Sequence, residues 1–316
     1  MKIGVITPVS HLPGIVELLS TKGQVFYLES ASKQETREFI LKNNIETIIC
    51  NPNQQTYKID AELLKHSAVT LINTCSTGLN HIDIDYCKDN GINIYSLTKD
   101  YELIEQLSST AELAFGLMLS LLRSIPQSNT DVRLGYWDYT KFVGRQVKDL
   151  TIGIIGYGRL GKMMFNYCSA FGMNVLVYDP YKKDEMDDAF LLNHYVELKT
   201  IAERCDVISL HVHVSDTTLY MIDEDFIGNC KKKPYIINTS RGEIVNEIDI
   251  VNALQQHILS GYGTDVIEDE FGDITSSPIF KAMNKGFNII TTPHIGGMTQ
   301  EGQVKAYTWA INKLKG

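Results

Sequence analysis

An excess of positive charge is the first thing this sequence lacks. Lys and Arg number 29 against 38 Asp and Glu, for a formal net charge of -9. Nucleic acid and anionic membrane surfaces are therefore poor partners. The one basic run, Lys231–Lys233, reads as a solvated loop. A long apolar run is also missing: "LAFGLMLSLL" covers about ten residues, roughly half of what a bilayer crossing needs. "MKIGVITPVS" enters a strand pattern directly, without the layout of a signal peptide. The 6 cysteines form no C-x-x-C pair and no regular spacing. Buried, reduced thiols in a cytoplasmic protein are the expectation. Internal repeats and low-complexity segments are absent too.

What remains is ordinary globular composition, 44% hydrophobic and 21% charged over 316 residues. That length allows two domains, each with its own core. In the first hundred residues, "KIGVITP", "QVFYLES", "ETIICNP", "VTLINTC" and "INIYSLT" read as strands. Between them, segments such as "LPGIVELLSTKG" and "KQETREFILKNN" carry helical apolar spacing. This alternation predicts a small parallel α/β domain. A long helix is expected from Asp100 to Arg123, apolar nearly all round in its second half and so buried between domains or subunits. An irregular stretch containing Trp137 follows. Alternation then resumes, with strands ending near Asp179, His211, Thr239, Asp265 and Thr292, before a closing helix in "MTQEGQVKAYTWAINKLKG".

Directly after the strand "TIGII", Gly156, Gly158 and Gly161 form G-x-G-x-x-G. The first glycine allows a tight turn, the second a close approach to a pyrophosphate, and the third close packing of helix on strand. The helix that follows presents unpaired N–H groups and the positive end of its dipole to phosphates. Glycines also mark ordinary turns, so the pattern gains weight from Asp179, 23 residues beyond Gly156 at the end of the next strand. A carboxylate there accepts both ribose hydroxyls and repels a 2′-phosphate, which favours NAD over NADP.

In open parallel sheets, ligands gather at the carboxyl ends of strands. The residues just past each expected strand are Asp179, His211, Thr239 with Arg241, Asp265 with Glu270 further on, and His294. An arginine, a glutamate and a histidine beside a nicotinamide cofactor form a constellation for hydride transfer. Competing structural readings are a helix-start ion pair for Arg241, one acid of the solvated run "EDE" for Glu270, and a core histidine for His294. His211 and His213 in "HVH" suggest a metal pair, but no third ligand sits at a recognisable spacing, so no metal is expected.

The segments "STGLNHIDID", "GIIGYGRLGK", "INTSRGEIVNE", "GTDVIEDE" and "TTPHIGGMT" resemble, in order and spacing, the D-isomer-specific 2-hydroxyacid dehydrogenase family. The resemblance covers nearly the whole chain. It implies two α/β domains: a flavodoxin-like substrate domain of residues 1–99 plus 293–316, and an inserted Rossmann NAD-binding domain of residues 100–292 that carries a dimerisation helix and arm. It implies catalysis by Arg241, Glu270 and His294. Arg241 would hold the carboxylate and polarise the keto oxygen, His294 would be the acid–base, and Glu270 would orient His294 and favour its protonated form. The backbone of Ser76, Thr77 and Gly78 would grip the substrate carboxylate. NAD would be held by Gly156, Gly158, Arg159, Leu160, Gly161, Asp179, His211, Val212, Thr218, Thr239, Ser240, Asp265, Gly296 and Gly297. A homodimer is expected.

Three departures from the family's pattern stand out. His213 replaces the proline of H-x-P, a change at the adenosine pocket. Phe271 follows Glu270 where proline is common. Asn51, Asn53 and Thr74 occupy stretches where phosphoglycerate enzymes place arginines. A phosphate needs cationic partners, so glycerate/hydroxypyruvate and glyoxylate/glycolate come ahead of 3-phosphoglycerate. The alternatives are an NAD-responsive binding protein of the corepressor type, 3-phosphoglycerate dehydrogenase itself, and a paralogue acting on an unusual, phosphonate-bearing acid.

Overall fold

The computed structural model describes residues 1–52 and 57–314, so Asn53 lies outside the described residues. The chain divides into two compact units, Met1–Leu107 with Gly297–Gly316, and Ser108–Gly296. In the first unit, strands β1 (Lys2–Val5), β2 (Gln24–Tyr27), β3 (Thr47–Cys50), β4 (Leu71–Thr74) and β5 (Asn93–Tyr95) form a parallel sheet in the order β2-β1-β3-β4-β5. This is the flavodoxin-like order. Isoleucine and valine dominate β1 and β3, as a strand buried on both faces requires.

Local signals set the helix limits. Ser32 and Glu35 form a reciprocal capping box at the start of Lys33–Asn43, and Asn44 ends that helix in the left-handed conformation. The closing helix Gln300–Asn312 belongs to this unit. It buries Ala306, Tyr307, Ala310 and Ile311, and Asn73 Nδ2 donates to the Ala310 carbonyl at 2.8 Å. Tyr307 is 1% exposed, with its hydroxyl 3.2 Å from Thr7 Oγ1. Burying a side chain of this size contributes about 1.5–3 kcal/mol.

The second unit carries β6 (Thr151–Ile155), β7 (Asn174–Tyr178), β8 (Val207–Leu210), β9 (Tyr235–Asn238), β10 (Gly261–Thr264) and β11 (Ile289–Thr291). Their order is β11-β10-β9-β8-β6-β7, parallel throughout. Beyond β7 the third strand of the first mononucleotide half is reduced to a single bridge, Val177 to Tyr195. The chain then crosses to β8 on the other side of β6. The crevice of a doubly wound sheet therefore lies between the carboxyl ends of β6 and β8. Each expected strand end falls within one residue of its position: Asp179, His211, Thr239, Asp265 and Thr292 all directly follow their strands.

The helix expected from Asp100 to Arg123 is broken into Tyr101–Ile104 and Ser109–Leu122. The units divide at this break and after Gly296, whereas the sequence suggested 99/100 and 292/293. Packing explains the first difference. Leu103 and Ile104 join the core that includes Ala306 and Tyr307, and Lys313 pairs with Asp100, so the short helix belongs with the closing helix. Ser109–Leu122 instead lies on the second sheet, where Leu117 and Leu121 meet Gly263 of β10. Among the described residues, no helix is long and apolar enough to cross a membrane.

Candidate active site

The glycine turn after β6 is built for close approach. Gly156 has φ +93°, and a Cβ there would lie 2.4 Å from the His211 carbonyl oxygen. A Cβ on Gly161 would lie 2.0 Å from the Gly156 carbonyl oxygen, so only glycine lets the helix Arg159–Ala170 press onto the turn. Gly158 differs, because a Cβ there would meet nothing. It is the N-cap of a helix that has no side-chain cap, with Arg159 and Leu160 in the first turn. Open space and uncapped N–H groups together suit a phosphate.

Asp179, just past β7, closes this corner. Its Oδ2 accepts from the Tyr157 N–H at 2.7 Å, and its Oδ1 from the N–H groups of Tyr181 and Lys182 at 3.0 and 3.2 Å. A cavity of about 560 Å³ opens at the carboxyl ends of β6, β7 and β8, lined by Gly156, Gly158, Asp179, His211, Val212 and Thr218 among others. His211 Nε2 is held by Ser209 Oγ at 2.9 Å, while its Nδ1 is buried without a partner. Burial pushes this imidazole down to about 4, so it is neutral at pH 7. His213 is exposed and lines the same cavity, where its carbonyl accepts from the Thr218 hydroxyl at 2.6 Å. A glycine cradle, an acid at the strand end and an unpartnered ring nitrogen fit a dinucleotide.

The acid–base candidates sit three strands away. Glu270 Oε2 lies 2.7 Å from His294 Nδ1, with side chains 19% and 26% exposed. Glu268 and Asp269 are exposed, so within "EDE" only Glu270 turns inward. His294 is held in an unusual backbone conformation, φ +53°, which costs a non-glycine residue about 1–2 kcal/mol. The Thr292 carbonyl accepts the His294 N–H at 3.0 Å, and Asp265 holds the loop further. The Asp265 carbonyl also accepts the His294 N–H at 3.0 Å, and the Asp265 carboxylate accepts those of Ile295 and Gly296 at 2.8 and 2.7 Å. Thr292 Oγ1 also donates to that carboxylate. Burial pushes the Asp265 carboxyl pKa up, and these hydrogen bonds pull against that rise. Asp265 is thus a clamp on the histidine loop.

Arg241 directly follows Ser240 beyond β9, and its Nη1 donates to the Ser240 carbonyl at 2.6 Å. Ser240 Oγ in turn holds the Leu210 carbonyl at 2.8 Å, and Thr239 Oγ1 is buried without a partner. Behind Arg241, a Cβ on Gly242 would overlap the Ile267 peptide at 2.0 Å. Glu247 is 5% exposed, takes the Glu268 N–H at 3.0 Å and the Ser277 hydroxyl at 2.9 Å, and has its pKa pushed up by burial. The arginine turn and the glutamate loop are therefore braced together. Sequence reasoning missed Glu247, Ser209 and Thr292. Glu247 lies within "RGEIVNE", but nothing in its spacing marks it as buried.

In the first unit, Ser76, Thr77 and Gly78 follow β4. The carbonyl of Ser76 accepts from the Leu97 N–H at 2.9 Å, that of Thr77 from Thr98 Oγ1 at 2.8 Å, and that of Gly78 from Ser76 Oγ at 3.0 Å. The N–H groups of the same three residues have no partner among the described residues. Successive unpaired N–H groups of this kind suit an anion. Gly297 begins the segment that returns to this unit.

Known proteins share this architecture. Residues 115–296 match the family described as D-isomer specific 2-hydroxyacid dehydrogenase, NAD binding domain. A glyoxylate reductase of Thermococcus litoralis is 32% identical over 78% of this chain and 74% of its own length. A D-3-phosphoglycerate dehydrogenase of Methanocaldococcus jannaschii is 28% identical over 95% of this chain, which spans only 54% of that longer protein. Among solved structures, D-lactate dehydrogenase from Aquifex aeolicus, complexed with NAD and lactic acid, superposes with a TM-score of 0.74 at 28% identity, covering 99% of this chain and 93% of that one.

Proposed function

This chain belongs to the D-isomer specific 2-hydroxyacid dehydrogenase family, NAD-dependent oxidoreductases, and we propose that it interconverts a small, unphosphorylated 2-keto acid and its D-2-hydroxy acid. Glyoxylate and hydroxypyruvate are the substrates to test first. The observation that carries the reading is the 2.7 Å Glu270–His294 pair on a clamped loop, in the same unit as the dinucleotide turn.

Bound NADH supplies the hydride. Gly156, Gly158, Arg159, Leu160 and Gly161 would hold its pyrophosphate, and Asp179 its ribose. His211, Val212 and Thr218 would line its seat, with Thr239, Ser240, Asp265, Gly296 and Gly297 toward the reacting end. In reduction, His294 gives a proton from its ring to the keto oxygen, and in oxidation it removes that proton. Glu270 keeps Nδ1 occupied, so that Nε2 is the nitrogen that exchanges the proton. Arg241 offers two parallel N–H groups to the carboxylate and keto oxygens. In the first unit, the unpaired N–H groups of Ser76–Gly78 suit a carboxylate.

The neutral side chains described at two strand ends of the first unit support an unphosphorylated substrate. Asn51 and Thr74, at the carboxyl ends of β3 and β4, are buried and neutral. The arm after Ser109–Leu122 supports a homodimer, because Trp137 is 90% and Tyr139 83% exposed. The 6 buried free cysteines suit a cytoplasmic setting. The test is NADH oxidation with glyoxylate, hydroxypyruvate, pyruvate and 3-phosphohydroxypyruvate. Preference for the phosphorylated acid would overturn the substrate reading. NADH binding without turnover of any of them would mark a binding protein instead.

A further inference from the structure

His81 is wholly buried in the first unit, remote in sequence from every residue assigned a role above except the Ser76–Gly78 loop. Its Nε2 lies 3.1 Å from Thr74 Oγ1, which lies 2.8 Å from Ser76 Oγ, which donates to the Gly78 carbonyl at 3.0 Å. Cys50 Sγ flanks the same nitrogen at 3.7 Å. The direction of this row is fixed from its far end. A carbonyl only accepts, so the Ser76 proton points to Gly78. Ser76 must then accept from Thr74, whose single proton is thereby engaged. Thr74 must accept from His81, so Nε2 carries the ring proton.

The other tautomer would break the row and bury an N–H at Nδ1, an atom that has no partner among the described residues. A protonated ring would bury that same N–H with a full charge. Consistently, burial pushes the imidazole down to about 4. The ring is a neutral, one-way donor.

We propose that His81 is a positioning residue for substrate: acting through the Thr74 and Ser76 hydroxyls, it turns the Gly78 carbonyl inward and holds the loop's N–H groups ready for the 2-keto acid carboxylate. This rests on the reading of Ser76–Gly78 as the carboxylate grip. Without the donor, Thr74 is free to rotate its proton, Ser76 loses its fixed partner, and the nest forms only part of the time. The loss then falls on keto-acid binding. Hydride and proton transfer, and cofactor binding on the other unit, keep their own residues.

The experiment is steady-state reduction by the full-length enzyme at saturating NADH, with thermal melting as a folding check. The variants are His81→Leu, Thr74→Val, His81→Gln and Thr77→Pro. His81→Leu and Thr74→Val should each raise the keto-acid KM about 10-fold, the scale of one lost buried hydrogen bond. kcat should stay within about 3-fold and the NADH KM should not move. Gln offers an N–H near the Nε2 position, so His81→Gln should return the KM to within about 3-fold of wild type. Thr77→Pro deletes one N–H of the nest and tests the grip directly. If it raises the KM while folded His81→Leu and Thr74→Val do not, His81 is only a core residue and the proposal fails while the grip stands. If Thr77→Pro leaves the KM unchanged, the grip reading itself fails, and the role of His81 with it. Should His81→Leu not fold, Thr74→Val alone decides, because it removes the same link with little change of shape.

Discussion

Replacing Asp179 with Ser should change cofactor choice and local stability together, if the carboxylate that braces this turn also meets the ribose as proposed. It now takes three backbone N–H groups, from Tyr157, Tyr181 and Lys182. Charged hydrogen bonds of this kind contribute about 1.5–3 kcal/mol each in isolation, but water and the shorter serine recover part of that. A net loss of about 1–3 kcal/mol is expected, or roughly 2–4 °C of melting temperature per kcal/mol for a unit of this size. For the cofactor, a 2′-phosphate about 5 Å from the carboxylate is repelled by about 1–3 kcal/mol for each unit charge it carries, taking an effective dielectric between 80 and 20. Removing Asp179 should therefore shift the NADPH/NADH ratio of kcat/KM upward by about 30-fold or more, and an added arginine beside it should shift the ratio further. The assay is kcat/KM for both cofactors at a fixed saturating keto acid, with melting curves of the apo proteins alongside. A wild-type enzyme that already uses NADPH as well as NADH would refute the reading of this strand end. A Ser variant with an unchanged ratio would refute it too.

His294→Ala should lower turnover about 100-fold or more, the scale of a lost general acid, and Glu270→Gln about 10-fold, both with unchanged NADH affinity; equal losses in NADH binding would point to a structural role. Arg241→Lys should raise the keto-acid KM and lower kcat together, since a point charge does not replace the guanidinium fork; wild-type kinetics would remove Arg241 from the site. His81 and His211 both have folded-state values near 4 against an ordinary 6.5, so the stability they confer is complete above pH 6.5 and is lost as the pH falls toward 4. At pH 5 each should cost about 2 kcal/mol relative to pH 7.5. Urea unfolding at the two pH values should show a smaller acid loss for His81→Gln and His211→Gln than for wild type; identical losses would mean the rings are not held neutral. Light scattering at micromolar concentration should give a dimer mass, and Trp137→Ser with Tyr139→Ser should shift it toward the monomer; a monomeric wild type would leave the exposed arm unexplained.

The sequence made the sheet frame and the strand ends legible, because parallel strands buried on both faces are continuous β-branched runs. "TIGII" and "TIIC" announce themselves, and the residue after each strand could be counted. The turn glycines were legible for a similar reason: Gly156 and Gly161 meet backbone that leaves no room for a Cβ, and few residue types satisfy that constraint. The break at Glu105–Ser108 was not legible. Apolar spacing continues across it, and what ends the helix is tertiary: Leu103 and Ile104 pack under a closing helix about two hundred residues later. The reduction of one strand to the Val177–Tyr195 bridge was hidden in the same way, since "HYVEL" has the composition of a short strand.

The acids illustrate the deeper limit. Asp265, Glu247 and Asp206 are each under one-tenth exposed, and each takes backbone N–H groups: Ile295 and Gly296, Glu268, and Thr151. Their value lies in what they orient. An N–H accepted by Asp265 sets the turn of His294, and one accepted by Glu247 sets the loop that brings Glu270 to it. A carboxylate is isolated in sequence from the amide it will serve, and aspartate or glutamate at a given spacing suits a solvated face equally well. Burial alone separates the two uses, and burial is decided by the whole core. Of the carboxylates around this histidine, Glu270 meets its ring, while Asp265 and Glu247 fix the backbone on either side of that contact. An arrangement with Glu270 alone would leave His294 to relax out of φ +53°, so the pair at 2.7 Å is as much a product of the buried braces as of its own attraction.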